Sequence, residues 1–265
     1  MQAEQLIKEG KPREALNALE QEVRSHPASA KHRVFLFQLL SVLGQWDRAL
    51  TQLRVAGEMD RANDALAKIY LPALQCEALR EAVFKGERKP LVLGEPEEWV
   101  AQLIEASRLD ATGESSRAAE LRGKALEAAP TAAGEVNGEA FEWIADADSR
   151  LGPMLELVVD GRYFWVPFTA IGSIEFEEAT DLRDVVWQPA SITWSNGGEA
   201  VALVPTRYAG TVAHDDGPML LGRKTEWQAG SDDCYTGLGQ RILVTDAGEY
   251  PLLAIRTLTL HHGTT

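Results

Sequence analysis

The feature that most constrains this chain is a pattern that recurs after 34 residues. Gly10 stands five residues before Ala15, and Gly44 stands five residues before Ala49. A third copy of the pattern begins at Gly113. A 34-residue period is that of the tetratricopeptide repeat, in which two antiparallel helices form a unit and neighbouring units bury each other's apolar faces. The first half of the chain is therefore predicted to be a stack of α-helices.

Each position of this repeat has a physical role. Glycine ends the first helix because it adopts a left-handed conformation easily, alanine lets two helices approach closely, and proline stops the second helix. Apolar periodicity predicts helices near 2–9, 13–25, 29–43 and 46–58, a long one within 62–85, and two more at 97–112 and 115–129. Residues 63–88 fit no repeat register, so a regular groove and a degenerate stack are both open.

The second half has the pattern of β-structure. Segments rich in β-branched and aromatic residues flank three turn sequences, Asp160-Gly161, Asn196-Gly197-Gly198 and Asp246-Ala247-Gly248. Turns of this kind between apolar segments predict β-hairpins. We therefore expect a compact antiparallel sheet or a small barrel. Short helical segments are predicted at 139–147 and 181–185.

Charge is distributed unevenly along the chain. Residues 1–138 carry 18 Lys and Arg against 21 Asp and Glu, whereas residues 139–265 carry 8 against 19. This shift coincides with the change in pattern and predicts an α+β protein of two domains. They are a tetratricopeptide-like helical domain at 1–130 and an acidic β-rich domain at 139–265. An acidic domain repels phosphate groups, which disfavours nucleic acid as a partner and fits either a solubilising surface or a basic protein partner.

The sequence predicts no membrane span, no metal site and no cofactor. The apolar segment 34–44 is about half the roughly 18 residues needed to cross a bilayer. The two cysteines, Cys76 and Cys234, have no metal-ligand spacing. The polar start of the chain lacks the pattern of a secretory signal, so a cytoplasmic location is expected.

Candidate catalytic residues are few. His214 beside the pair Asp215-Asp216 could act as a general base, but no nucleophile stands at a recognisable spacing from it. Asp146, Asp148 and Asp160 could offer oxygen ligands, yet their spacing does not resemble a calcium loop. Solvated loops explain these residues better, and a catalytic function is disfavoured.

Several motifs resemble the ImpE family, also known as the SciE or TagJ family. They are FEWIADADSRLGPMLELVVDGRYFWVPF at 141–168, DLRDVVWQPA at 181–190, PTRY at 205–208 and GLGQRILVTD at 237–246. The resemblance covers nearly the whole chain and implies a cytoplasmic, non-enzymatic accessory protein encoded with type VI secretion systems. It also implies binding of the N-terminal helix of the small contractile-sheath subunit. Through that subunit it implies an indirect link to the AAA+ unfoldase that recycles the sheath.

The predicted peptide-binding site lies on the first helix of two repeat units. In a tetratricopeptide stack these helices line the concave face, and an amphipathic helix in a groove is a recurring mode of recognition. Counting back from Gly44 and Gly113 identifies the positions that point inward. They are Val34, Gln38, Ser41, Leu103, Ser107 and Asp110.

The charged and aromatic residues of the family motifs have two interpretations. In the first they are structural, with Asp146, Asp148, Arg150 and Arg183 as a network that fastens the domains, and Trp143, Trp165 and Trp187 as fillers of the sheet core. In the second, Arg183 and the tryptophans line the partner site. A different class of function is also open, in which the acidic domain senses a ligand or is an enzyme and the helices are a docking arm.

Overall fold

The computed structural model describes residues 1–94, 96–230 and 234–261. Its N-terminal half is helical. The helices are α1 (Gln2–Lys8), α2 (Pro12–Ser25), α3 (Ala30–Val42), α4 (Trp46–Met59), α5 (Asp64–Phe84), α6 (Glu98–Ala111) and α7 (Ser115–Ala128). Consecutive helices pack as pairs, α1 on α2, α3 on α4 and α6 on α7. The helices predicted from the sequence are therefore confirmed.

The repeat glycines lie where the pattern places them. Gly10, Gly44 and Gly113 follow the first helix of each pair with φ values of +78°, +68° and +84°. A side chain at such a position would be strained, which is why glycine occupies it. The segment without a repeat register forms the long helix α5, which contains Pro72 and stands between the second and third pairs. The stack is therefore degenerate rather than a regular row of three units.

The C-terminal half is built of strands. They are β2 (Ala133–Val136), β3 (Glu139–Phe141), β4 (Ile144–Asp146), β5 (Met154–Val159), β6 (Arg162–Pro167), β7 (Ile171–Phe176), β8 (Trp187–Trp194), β9 (Glu199–Pro205), β10 (Thr225–Ala229), β11 (Tyr235–Gly239), β12 (Ile242–Thr245), β13 (Glu249–Pro251) and β14 (Thr257–His261). A short helix, α8 (Gly217–Leu220), precedes β10, and β1 (Leu91–Val92) comes from the helical half. The α+β architecture predicted from the sequence is confirmed.

The main sheet has the strand order β1-β6-β5-β9-β8-β7-β14-β2-β3. It is antiparallel except where β1 runs parallel to β6. Its two end strands, β1 and β3, are not paired with each other in the part of the chain that the structure describes, so the sheet is open. Smaller sheets are formed by β13-β12-β4 and by β10-β11.

The predicted turns and short helical segments are confirmed with one exception. The three hairpin turns are confirmed between β5 and β6, β8 and β9, and β12 and β13. A 3-10 helix at Leu182–Val185 confirms the predicted helical segment at 181–185. The helix predicted at 139–147 is wrong, because this segment forms β3 and β4. β3 pairs with β2 across the tight turn at Asn137-Gly138, and β4 pairs with the distant strand β12. Strand pairing of this kind overrides local helix propensity.

Both faces of the main sheet are covered. Along β5, Met154 and Val158 pack into a core shared with the helices, whereas Leu155 and Leu157 pack into a second core within the β-rich half. The polypeptide passes from α7 to β2 at residues 129–132, close to the predicted boundary, but β1 and the shared core join the halves. Whether each half folds alone stays a prediction. None of the described helices is long and apolar enough to cross a membrane.

Candidate functional site

A groove of about 550 Å³ lies where α1, α3 and the segment 179–185 meet. We call it the N-terminal groove. One wall is α3, whose lining residues Lys31, Val34, Phe35 and Gln38 are spaced i, i+3, i+4 and i+7 and so share one helical face. The other walls are the start of α1 and the loop and 3-10 helix of the β-rich half. They contribute Met1, Glu4, Ile7, Lys8, Ala179, Thr180, Asp181, Leu182 and Val185.

The floor of the N-terminal groove is apolar and partly open to solvent. Ile7, Val34 and Phe35 come from the helices, and Leu182 and Val185 come from the 3-10 helix. Each of these five side chains is half-buried, so each still presents apolar surface. An apolar floor between two helices and a third wall is the kind of surface that accepts the apolar face of another helix.

The rim of the N-terminal groove carries charges of both signs. Glu4 pairs with the chain's own amino group at 2.7 Å, and Asp181 pairs with Arg183 at 2.5 Å. Lys8 and Lys31 are exposed and form no salt bridge with any residue that the structure describes. The chain's own amino group has the largest effect in lowering the pKa of the Glu4 carboxyl, and Lys31 and Lys8 also contribute. The two lysines therefore lie near Glu4 but form no salt bridge with it.

The third wall has internal hydrogen bonds and a contact with the helical half. The Asp184 carboxylate accepts hydrogen bonds from the backbone N–H groups of Thr180 and Asp181 at 2.9 and 2.8 Å. The Arg183 guanidinium lies 5.3 Å from the ring centre of Tyr70 on α5, a cation–π contact. Arg183 therefore fastens the wall to the helical half, as the structural interpretation of this residue predicts.

The predicted peptide-binding residues fall in different places. Val34 and Gln38 line the N-terminal groove. Ser41, one turn further along α3, is fully buried and donates a hydrogen bond to the backbone carbonyl of Phe37 at 2.9 Å. The other three lie on α6 and do not line this groove, since Leu103 and Ser107 are buried and Asp110 pairs with Arg122 of α7.

A second polar site lies between the helices and the sheet. We call it the junction cluster and define it as Glu77, Arg80, Asp146, Glu156, Arg207 and Arg241, all of which are buried. On α5, Arg80 donates from Nε and Nη2 to the two carboxylate oxygens of Glu156 at 2.6 and 3.0 Å. Arg241 pairs with the same carboxylate and with Asp146. Bidentate pairing of this kind is specific in geometry as well as favourable.

The junction cluster also fixes the position of α3 and of a tryptophan. Arg207 donates to the backbone carbonyls of Val42, at the end of α3, and Leu220, at 2.7 and 2.5 Å. Glu77 accepts a hydrogen bond from the indole N–H of Trp187 at 2.7 Å. The cluster holds three arginines and three carboxyls, so its charges balance when all three carboxyls are ionised. Sequence reasoning missed Glu77, Arg80, Glu156, Arg207 and Arg241, although a glutamate within the apolar strand MLELVV was a detectable signal.

The motif DADSRLGP is structural. Asp148 accepts hydrogen bonds from Arg150 Nε and from the Gly237 backbone N–H, each at 2.9 Å. Asp146 belongs to the junction cluster. The structural interpretation of Asp146, Asp148 and Arg150 is thus confirmed, although Arg183 lies apart from them at the groove wall.

The three tryptophans of the family motifs do not share one environment. Trp165 and Trp187 are fully buried, but in the core shared with the helices and not in the second core of the β-rich half. The prediction that Trp143 fills the core is wrong, because its side chain is 40% exposed. Trp143 lies in the short connection between β3 and β4, where neither strand directs it inward.

Burial raises the pKa values of the Asp146 and Glu156 carboxyls, whereas neighbouring arginines lower them. Burial has the largest effect on Asp146 and raises the pKa of its carboxyl to about 7, although the Arg241 guanidinium favours the charged form. For Glu156, burial again opposes ionisation, but the guanidiniums of Arg80 and Arg241 outweigh it and lower the pKa of this carboxyl to about 2. Of these two carboxyls, Asp146 therefore takes up a proton first as the pH falls.

Asp146 is expected to give the stability of the protein a pH dependence. Its carboxyl binds a proton more tightly in the native state than in the unfolded chain, where its ordinary pKa is 3.8. The group therefore stabilises the native state below about pH 4, and this contribution is lost as the pH rises to about 7. We expect the free energy of unfolding of the parent chain, relative to Asp146→Asn, to fall across that interval.

Urea unfolding of the parent chain and Asp146→Asn between about pH 4 and pH 7 measures this dependence. Asp160→Asn, at the exposed turn between β5 and β6, controls for the loss of one negative charge. If the difference in the free energy of unfolding between the parent chain and Asp146→Asn stays constant over this pH interval, Asp146 does not titrate there.

The two aspartates beside His214, the candidate general base, have structural partners. Asp215 pairs with Arg13 of α2 at 2.5 Å. Asp216 caps α8 by accepting a hydrogen bond from the Met219 backbone N–H at 2.9 Å. Within residues 1–94, 96–230 and 234–261, no group of three or more His, Cys, Asp and Glu side chains is placed to hold a metal ion.

The fold defines a class of protein: a helical-repeat stack joined to a β-rich half, with the N-terminal groove formed between them. A protein family described as ImpE protein matches residues 138–259. The type VI secretion system accessory component TagJ of Pseudomonas aeruginosa is 49% identical over 258 residues, which cover 97% of this chain and 90% of that protein. This chain therefore belongs to the ImpE family, as its motifs indicated.

The fold also matches a solved structure. An X-ray crystal structure of a protein from Vibrio parahaemolyticus superposes with a TM-score of 0.90, covering 99% of this chain and 98% of that chain. The two sequences are 24% identical. This likeness shows that the whole arrangement of helical stack and sheet is shared.

Proposed function

We propose that this protein is an accessory component of a type VI secretion system that binds the N-terminal helix of the small sheath subunit in the N-terminal groove. The relative at 49% identity is named as a type VI secretion system accessory component. The observation that carries the proposal is the groove itself, with its half-buried apolar floor and its preformed third wall. The proposed role is binding, without catalysis, and it modulates recycling of the sheath.

The shape of the groove favours a helical ligand. Val34, Phe35 and Gln38 present one face of α3, and Ile7 of α1 lies opposite them. A helix laid between them would bury its apolar stripe on this floor, in the way that amphipathic helices bind grooves in other proteins. Burial of apolar surface then supplies most of the binding free energy.

The charges at the rim set the polarity of the ligand. The chain carries a net charge of −14, so most of its surface repels acidic segments. Lys8 and Lys31 are an exception, because no acidic side chain of the described structure pairs with them. We therefore expect acidic residues beside the apolar stripe of the bound helix, at positions that reach these two lysines.

The third wall gives the β-rich half a role in binding. Leu182 and Val185 belong to the segment between β7 and β8, so the helical stack alone would present an incomplete groove. The proposed complex lies in the cytoplasm, and it would reach the AAA+ unfoldase indirectly, through the sheath subunit that both contact.

A single substitution on the groove floor tests this proposal. Val34→Lys places a charge among apolar side chains at a half-exposed helical position, where a folded chain can still hold a long side chain. We expect affinity for a peptide of the sheath subunit's N-terminal helix to fall by about tenfold or more. Isothermal titration calorimetry measures the affinity, and circular dichroism verifies folding.

The matched control is Ile69→Lys, which makes a similar change at a side chain of α5 that is 53% exposed and outside the groove. The control should bind like the parent chain. Equal binding by a folded Val34→Lys variant would exclude the groove. Absence of any binding by the parent chain would exclude this peptide as the ligand.

A further inference from the structure

The hairpin formed by β10 and β11 has one open edge. The two strands pair antiparallel over their full length, from Thr225 opposite Gly239 to Ala229 opposite Tyr235. β11 is attached to the body of the protein, where Tyr208 donates its backbone N–H to the Gly239 carbonyl at 2.9 Å. Within the described part of the chain, β10 pairs with no strand other than β11. β10 is therefore an edge strand.

The hydrogen bonds at the ends of the hairpin identify which groups of β10 point outward. Gln240 donates to the Lys224 carbonyl at 2.9 Å, and Gly230 donates to the Cys234 carbonyl at 2.7 Å. Because bonded and non-bonded pairs alternate in an antiparallel ladder, the even-numbered residues of β10 bond to β11. The N–H and C=O groups of its odd-numbered residues point away from β11, to the open edge. These residues are Thr225, Trp227 and Ala229.

The open edge has little of the usual protection against strand pairing, since the one charged residue of β10, Glu226, is already paired with Lys224. Natural edge strands are commonly blocked by proline, lysine, a bulge or a covering loop. β10 has the sequence TEWQA, pairs in an unbroken register, and is exposed from Glu226 to Ala229. Trp227 is 41% exposed, and on the same face Tyr235 is 46% exposed. Exposed tryptophan and tyrosine are typical of the centres of protein interfaces.

We propose that the β10 edge pairs with the β10 edge of a second copy of this chain, giving a two-fold symmetric dimer with a continuous four-stranded sheet. The symmetric register places Trp227 opposite Trp227 of the second copy, and Thr225 opposite the second copy's Ala229. The free backbone N–H and C=O groups of these three residues then face those of the second copy, which allows about six backbone hydrogen bonds between the two strands. An isologous contact of this kind closes after two copies.

The side chains of β10 allow two copies to pair without repulsion or steric hindrance between the two strands. In the symmetric register Glu226 lies opposite Gln228 of the second copy, so no like charges are directly opposed along the strand. Trp227 is flanked on β11 by Gly237, which has no side chain to hinder the two indole rings. The ring of Trp227 already rests 5.6 Å from that of Tyr208, which orients it on one face of the hairpin.

Substitutions at Gln228 test the proposed register. Gln228→Lys would face the second copy's Glu226 twice in the dimer, whereas Gln228→Glu would create two opposed pairs of carboxylates. From typical cross-strand charge pairs, we expect the dimer dissociation constant to fall about two- to thirtyfold for Gln228→Lys and to rise similarly for Gln228→Glu. Sedimentation equilibrium measures this constant at moderate salt, where repulsion between two acidic chains is screened.

Ala229→Pro tests the backbone pairing independently of charge. Its N–H points outward and is not used by β11, so proline is tolerated there in the monomer but blocks the edge. Circular dichroism verifies the fold, and a folded, monomeric Ala229→Pro variant is the expected result. The proposal is overturned if the parent chain is monomeric at every concentration tested, if folded Ala229→Pro still dimerises, or if the two Gln228 variants dimerise equally.

Discussion

Replacing Glu156 by glutamine is expected to lower the free energy of unfolding by roughly 3–5 kcal/mol. Glu156 is fully buried and accepts charge-assisted hydrogen bonds from Arg80 and Arg241. It also accepts a hydrogen bond from the Tyr163 hydroxyl at 2.5 Å. Glutamine has almost the same shape but no charge, so the substitution leaves an excess of positive charge in a site that water does not reach.

Urea denaturation followed by circular dichroism measures this loss. The matched control is Glu175→Gln, an identical change at an exposed position of β7, which should alter the free energy of unfolding by less than about 0.5 kcal/mol. A loss of similar size in both variants, or a negligible loss for Glu156→Gln, would show that the junction cluster does not hold the two halves together.

Replacing Trp187 by alanine should lower the free energy of unfolding by roughly 3–5 kcal/mol as well. Trp187 is fully buried on β8, and its ring centre lies 5.9 Å from that of Trp46 and 6.0 Å from that of Tyr70. Its removal would open a cavity between the sheet and two helices. It would also leave Glu77 without the hydrogen bond donated by the indole N–H.

Trp143→Ala is the control for that experiment, since it removes the same side chain from an exposed position. We expect a much smaller loss of stability for this variant in the same urea titration. Two variants of equal stability would mean that Trp187 is not packed between the halves as the structure has it.

Local patterns in the sequence predicted the helical half well. The predicted helices agree with α1 to α7 to within two residues at every end. The reason is that the apolar spacing of each helix, and the glycine after the first helix of each pair, are properties of neighbouring residues. The hairpin turns were also predictable, since Asp160 and Gly161 adopt positive φ values of +49° and +69° that few other residues tolerate. The family was also evident, because its motifs are contiguous segments of the sequence.

The junction cluster and the N-terminal groove are formed by residues that lie far apart in the sequence. Arg80 and Glu156 are 76 residues apart, and Arg241 and Glu156 are 85 apart, so no local spacing connects them. Of the six predicted peptide-binding residues, two line the N-terminal groove. Counting along α3 identified Val34 and Gln38, but it could not show that Ser41 is turned into the core or that residues 179–185 supply the third wall.

By itself, the sequence determined the helices, the three predicted hairpins, the change from helices to strands near residue 130 and the family, because each of these depends on the local order of residues. The tertiary structure decided that β3 and β4 are strands, that Trp143 is exposed, and that Glu156 faces α5. For β4 and Glu156 the physical reason is contact with residues far away in the sequence, since β12 pairs with β4 and Arg80 of α5 pairs with Glu156. β3 is held by its neighbour β2 in a short hairpin. The free energies of strand pairing and burial exceed the local preferences that a sequence pattern records.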